Sequence, residues 1–136
     1  MPFRKAAIRP FRAEDEPLLF GLAKLDRGAD ERTLTVLEHE TVFVAEVEGA
    51  PAGYVALEEQ GPSVRVEQLF VSSEHEDEEV GAQLVDYAEG YAISCEAKTL
   101  QVVVEPDNTR AQQFYHERGF VAAGEHVLEL VLPQRE

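Results

Sequence analysis

Few side chains in this sequence are equipped for chemistry, and their spacing keeps them apart. Cys95 is the one thiol. With no internal disulfide partner it reads as a reduced thiol packed on a helix face, with a catalytic nucleophile as the alternative. Glu74, Glu76, Asp77, Glu78 and Glu79 put five carboxylates into six residues, broken only by His75. Acids in the first turn of a following helix stabilise its dipole by roughly 0.3–1 kcal/mol each. His75 with its neighbours could collect a cation, but contiguous acids rarely converge into a cage, and no metal is expected. Ala111 and Tyr115 stand four apart, hence on one helix face, where the small side chain leaves room for a ligand. Taken alone, Tyr115 is equally an amphipathic core residue, and Asn108 before it equally a plain cap. Glu67 falls in a strand pattern, where a surface carboxylate is the simple reading for so acidic a chain.

These residues need elements to hold them. Ala6–Arg9 reads as a short strand. A helix follows from about Pro17 to Asp26, capped by Asp15 or a neighbouring acid, with proline tolerated in its first turn. A second helix is expected over Glu31–His39, although Thr33, Thr35 and Val36 are β-branched and weaken it. Thr41–Val47 and Ala52–Glu58 form strands around the turn Glu48–Pro51, and Val64–Val71 follows the turn at Gln60-Gly61-Pro62. Val80, Leu84, Val85, Ala88, Tyr91, Ala92 and Cys95 recur at helical spacing, predicting a long helix over Glu78–Ala97. Thr99–Val104 reads as a largely apolar strand, expected to be buried on both faces. Asn108 caps a helix over Thr109–Arg118 that ends at Gly119. Phe120–Ala123 and Val127–Leu132 close the chain as strands. The order β-α-α-β-β-β-α-β-α-β-β points to a central mixed sheet with helices on its faces.

Composition bounds the function. The chain has 136 residues, 44% of them apolar, enough for one core. No run of 18 apolar residues exists to span a membrane, and the N-terminus has no signal-peptide pattern. With the lone cysteine, this makes a cytoplasmic location the expectation. The net charge is −15, so nucleic acid and anionic membrane surfaces are poor partners. Arginine outnumbers lysine nine to three. A lysine-poor acidic surface fits a salt-loving source, and a GC-rich genome would produce the same arginine bias.

The segment from Leu100 to Phe120 carries the most specific pattern: an apolar strand, then Asn108, Ala111, Phe114, Tyr115, Gly119 and Phe120, spaced as N-x-x-A-x-x-F-Y-x-x-x-G-F. On these residues the chain resembles the GNAT acyltransferase superfamily from Val42 to Leu130, and Ile8 through Asp15 resembles that family's first strand and helix. The resemblance implies an α/β (α+β) fold, the GNAT fold, with a central mixed, mostly antiparallel sheet and helices on both faces, as one domain over residues 1–136. It implies acetyl-CoA as cosubstrate and a small-molecule or peptide amine as acceptor. A homodimer stays open.

The resemblance also assigns roles. Tyr115 would lie near the thioester sulfur and protonate the departing thiolate. Asn108 would touch the pantetheine or pyrophosphate arm while capping its helix, and Ala111 would leave space. Val64–Val71 resembles the family's fourth strand, which splays from the next one around the acyl arm. Backbone groups near Leu69 and Val71 would bind that arm and polarise the thioester carbonyl. Glu67 stands where many members carry a carboxylate that takes the amine's proton. The family's pyrophosphate loop, Q/R-x-x-G-x-G/A, aligns with Glu76–Gly81 and keeps only Gly81. Two like charges about 6 Å apart repel by roughly 3 kcal/mol at an effective dielectric near 20. The acids therefore leave two readings: an N-acetyltransferase, and a binding or regulatory module that has lost coenzyme A.

Overall fold

A computed structural model of the chain describes residues 6–27, 37, 40–74 and 79–134. Seven strands form a single sheet: β1 (Ala7–Pro10), β2 (Thr41–Val47), β3 (Ala50–Gln60), β4 (Ser63–Val71), β5 (Thr99–Val103), β6 (Val121–Gly124) and β7 (Val127–Val131). Their spatial order is β1-β2-β3-β4-β5-β7-β6. The described helices are α1 (Glu16–Arg27), α2 (Val80–Ser94) and α3 (Thr109–His116), with a 3₁₀ turn at Ala13–Asp15 leading into α1. The β4–β5 pair is parallel, joined through α2, while β1–β2, β2–β3, β5–β7 and β6–β7 are antiparallel. The helix expected over Glu31–His39 lies outside the described residues, apart from Leu37, which is helical and buried.

The chain divides into two compact units, Met1–Leu57 with Gln68–Ala88, and Glu58–Glu67 with Glu89–Glu136. In the first, both faces of the strands are covered. Leu19 of α1 and Leu37 pack with Val42, Val44, Tyr54, Ala56 and Phe70. On the opposite face Phe43 meets Tyr87 of α2, ring centroids 4.7 Å apart. This two-sided burial explains the run Val42–Ala45, buried at every position, in a strand that a one-sided sheet would have made alternating. The β2–β3 turn is shorter than the sequence indicated. Val47 pairs with Ala50, and Glu48 and Gly49 take φ of 54° and 82°, the two left-handed residues of a tight hairpin. The register shifts at Ala45/Glu46, so Ala52 is an extra residue in β3 and Pro51 falls at a bulge, where its missing N–H is tolerated.

Asp15 closes the start of the 3₁₀ turn that leads into α1, as the third residue of a capping box. Its carboxylate accepts from the backbone N–H of Arg12 at 2.7 Å and takes a two-pronged grip from Arg9, at 2.7 and 2.8 Å. Arg9 also bonds Glu46 through Nε. Arg9 holds the buried Asp15 carboxyl below the usual range, mainly by its hydrogen bonds, and the guanidinium is raised in turn.

In the second unit one side of the strands is core, so β5, expected to be buried on both faces, is buried on one: Leu100 and Val102 are enclosed while Val103 is exposed. Val64, Val66, Leu100, Val102 and Leu128 are buried there, with Ala92, Tyr115 and Phe120 also buried in this unit. β6 is the outer strand and is exposed at every position.

Candidate functional site

The motif around Tyr115 is explained by how α3 begins and ends. Asn108 Oδ1 accepts from the Ala111 N–H at 3.1 Å, so it is a true cap. Gln112, which no sequence pattern singles out, donates to the carbonyls of Glu105 and Pro106 at 3.2 and 3.0 Å. It ties the loop before the helix to the helix itself. At the other end Gly119 takes φ 92°. Its N–H donates to His116 O at 3.0 Å and that of Phe120 to Tyr115 O at 3.1 Å. This double bond pattern closes a helix with a left-handed residue, and it normally brings together the apolar side chains on either side. Here those are Tyr115 and Phe120, rings 5.2 Å apart and edge to face, with Phe114 5.1 Å from Tyr115 on its other flank. His116 is exposed and its Nδ1–H donates to Phe120 O at 2.9 Å, bracing the same corner.

The corner does more than pack. Tyr115 is 5% exposed, and desolvation pushes its phenol up to about 12. It keeps its proton across the physiological range and is a standing hydrogen-bond donor. Ala111, one turn earlier on the same face, is half-buried. Asn108, Ala111 and Tyr115 are thus held on one short helix. Glu67, in the same unit, is exposed on β4.

The remaining candidates belong to the first unit. Leu69 and Val71 are half-buried on β4, either side of buried Phe70. What shapes this stretch is Gly53 on β3. A methyl added there would collide with the carbonyl oxygen of Phe70 and come within 3.1 Å of the Cα of Val71. Its φ is not left-handed, so close approach is the reason for the glycine. Ser72 then donates its N–H to Ala52 O at 2.7 Å, fixing the end of β4 against the bulge. A glycine inside an otherwise apolar strand was the available sequence signal for this contact. Tyr54, below it, donates its hydroxyl to Gln68 Oε1 at 2.6 Å.

Gly81 lies half-buried in the first turn of α2. Just before that helix, exposed Glu79 takes φ 58°, and its carbonyl accepts from Gln83 N–H at 3.1 Å. Residues 75–78 lie outside the described residues, so the centre of the acidic run, His75 included, has no structural account. Among the described residues no group of three or more His, Cys, Asp or Glu is placed to hold a metal. Cys95 lies past the end of α2 rather than on its packed face. It is exposed and its S–H donates to Glu59 at 3.1 Å. Desolvation and that carboxylate raise the thiol's pKa, which disfavours a thiolate nucleophile.

With this geometry in place, comparison with known proteins is decisive on one point. The model of the acetyltransferase (GNAT) family matches residues 5–120. The chain belongs to the GNAT family. A curated relative, an uncharacterized N-acetyltransferase of Archaeoglobus fulgidus, is 32% identical over 85 residues, 57% of this GNAT chain and 58% of the relative. The match therefore spans little more than half of that protein. Ard1 from Thermoplasma volcanium superposes with a TM-score of 0.81 at 18% identity, covering 96% of this chain and 99% of that one. A GNAT acetyltransferase from Elizabethkingia anophelis, solved with acetyl-CoA bound, gives 0.81 at 16% identity, covering 94% and 99%. The ribosomal-protein-S18-alanine N-acetyltransferase of Escherichia coli gives 0.80 at 16%, covering 96% and 95%. These likenesses establish the GNAT fold, a mixed seven-stranded sheet with helices. No described helix is long and apolar enough to cross a membrane.

Proposed function

We propose that residues 1–136 act as a single acetyl-CoA-dependent N-acetyltransferase domain that moves an acetyl group to a primary amine by direct attack. The observation that carries this reading is the desolvated Tyr115 phenol, placed by a helix-ending corner that the family motif encodes. Acetyl-CoA supplies an acetyl thioester with a thiolate leaving group. Tyr115 fits the sulfur end of such a molecule. Tyr115, its proton retained through desolvation, donates a hydrogen bond to the charge building on sulfur and protonates the departing thiolate. Glu67 takes the proton of the attacking nitrogen, since an ammonium has no lone pair to attack with. Backbone groups of Leu69 and Val71 hold the acyl arm and polarise its carbonyl, and Gly53 shapes the strand that carries them. Asn108, whose Oδ1 is engaged by its own helix, has only its amide N–H₂ to offer the arm, and Ala111 leaves the arm space.

The phosphate end fits less well. Gly81 and the first N–H groups of α2 keep the backbone of an anion site. Exposed Glu74 and Glu79, with Glu76, Asp77 and Glu78 between them in sequence, put acids where phosphates would come. The acidic run favours a second reading, a GNAT-fold binding module without coenzyme A. Titration with acetyl-CoA across a salt series separates the two. If repulsion alone weakens binding, Glu76→Arg with Glu79→Gly tightens it strongly in dilute buffer, and the advantage shrinks toward 1 M salt, where the Debye length is ~3 Å. No binding by either protein at any salt leaves the second reading. The acceptor is a small-molecule or peptide amine; the Escherichia coli neighbour, named for an alanine of ribosomal protein S18, supports the peptide form. The unpaired thiol of Cys95 fits a cytoplasmic location.

A further inference from the structure

Within the second unit, three side-chain contacts fix which residues share the side of the strands opposite the buried one. Ser63 Oγ lies 2.7 Å from Thr99 Oγ1, Arg65 Nη2 donates to Gln101 Oε1 at 3.3 Å, and Gln101 Nε2 donates to Glu129 Oε2 at 3.2 Å. Strand alternation then puts Val103, two residues past Gln101, on this side, together with its Cα partner Val127 on β7. Glu67, two residues past Arg65, follows the same alternation, and its exposure between buried Val66 and half-buried Gln68 agrees. The β4–β5 pairing runs from Ser63↔Thr99 to Val66↔Val102. Glu67 and Val103 are therefore the first residues beyond the paired stretch, on neighbouring strands. Val103 is 49% exposed, whereas Val102 and Leu100 on the other side are 5% and 0% exposed. A single exposed valine is ordinary, but this one lies on the neighbouring strand, on the same side as Glu67, just where the β4–β5 pairing ends.

We propose that Val103, with Val127 beside it, is the floor for a small aliphatic substituent on the carbon next to the acceptor's nitrogen, so that the acceptor class is α-substituted primary amines such as an amino-acid amide or a peptide N-terminus. The inference rests on the acetyltransferase reading with Glu67 as base. An acceptor whose nitrogen lies about 3 Å from Glu67 can rest the neighbouring carbon's substituent on β5. The nitrogen lone pair forms the C–N bond, the C–S bond breaks with its electrons leaving on sulfur, and the nitrogen's proton passes to the Glu67 carboxylate. Arg65 and Glu129 are tied to Gln101 and leave Val103 as the side chain the substituent meets.

The test is steady-state acetyl transfer at saturating acetyl-CoA to glycinamide, alaninamide, valinamide and serinamide. Wild type should prefer alaninamide or valinamide to glycinamide by about 10-fold or more in kcat/KM, the discrimination one or two carbons on an apolar surface can give. Val103→Thr, nearly the same shape but polar, should shrink that ratio several-fold, leaving the KM for acetyl-CoA and the pH profile unchanged. Equal use of the four amides by wild type, or an unaltered ratio in the variant, overturns the inference. A wild type that binds acetyl-CoA but acetylates none of them overturns it too, leaving the donor half of the proposed function intact. Failure to bind acetyl-CoA sinks that function itself.

Discussion

Three helix ends among the described residues use a left-handed residue, and they do not share one amino acid. After α3 the residue is Gly119 (φ 92°); before α2 it is Glu79 (φ 58°). At Gly119 the conformation is fully justified by packing: two backbone bonds close the helix and press Phe120 against Tyr115. At Glu79 the backbone still bends as a glycine would, yet the side chain is a carboxylate that costs about 1 kcal/mol more there. Glu96, also left-handed and exposed, closes the far end of α2 with the same pair of bonds, its N–H to Ile93 O and that of Ala97 to Ala92 O, and Glu48 is left-handed in the β2–β3 turn. The chain thus accepts acids at exposed left-handed positions, helix ends included, and has glycine where the side chain that follows is a large buried ring. Conformation alone therefore does not explain the acid at Glu79, whereas it does explain the glycine at 119.

That contrast can be broken at several points. Tyr115→Ala removes the ring that the Gly119 turn packs and should cost about 3–5 kcal/mol by urea unfolding; a loss below 1 kcal/mol would mean the corner is not a core. Tyr115→Phe keeps the ring and should cut turnover by roughly 10²-fold, about 2.7 kcal/mol, with acetyl-CoA affinity preserved. It also has a pH signature. A phenol whose folded pKa is raised loses stability only as pH climbs past its unfolded value near 10 toward the folded value of about 12. Wild type should weaken over that window more than the Phe variant, and equal alkaline limbs would contradict the desolvation of Tyr115. Gly119→Ala should destabilise by about 1–2 kcal/mol, because φ 92° strains any side chain while its nearest obstacle, Leu130 Cδ1, lies at an ordinary 3.4 Å. Glu79→Gly should stabilise, by about 0.5–1 kcal/mol in Tm-derived free energy. Destabilisation instead would show that the carboxylate makes a compensating contact at the start of α2.

Sequence pattern revealed most of this architecture because periodicity and turn chemistry are local. Thr41–Val47 emerges with the same bounds in sequence and structure, and the Asn108-to-Phe120 segment could be read as cap, face and glycine stop because each part acts within a few residues. Other features were hidden for physical reasons. Asp15 could be read as a helix cap, but only the fold shows that its carboxylate is buried and gripped by Arg9 across a turn. Pro51 looked like a turn residue because a β-bulge has no signature of its own. The closeness of Gly53 to Phe70 is a relation between strands seventeen residues apart, and Gln112 contributes through carbonyls, which sequence does not distinguish. Cys95 followed the helical period to its end, but the helix stops one residue earlier, so the thiol turns toward Glu59.

The Arg9 grip on Asp15 and Glu46 gives the molecule a weak seam with a defined trigger. Because the Asp15 carboxyl is held below its usual pKa, the stabilisation is complete above about pH 4 and drains away as acid protonates it. Protonation unhooks β1 from the 3₁₀ turn at once, since one side chain serves both. The Phe11 amide, which donates to Val42 O at 2.9 Å, and the Arg12 amide, which donates to Asp15, should then exchange with solvent before the β2–β3 hairpin does. Acid below about pH 4 would peel the chain from its leading strand, as a zip opens from the end where its pull is attached.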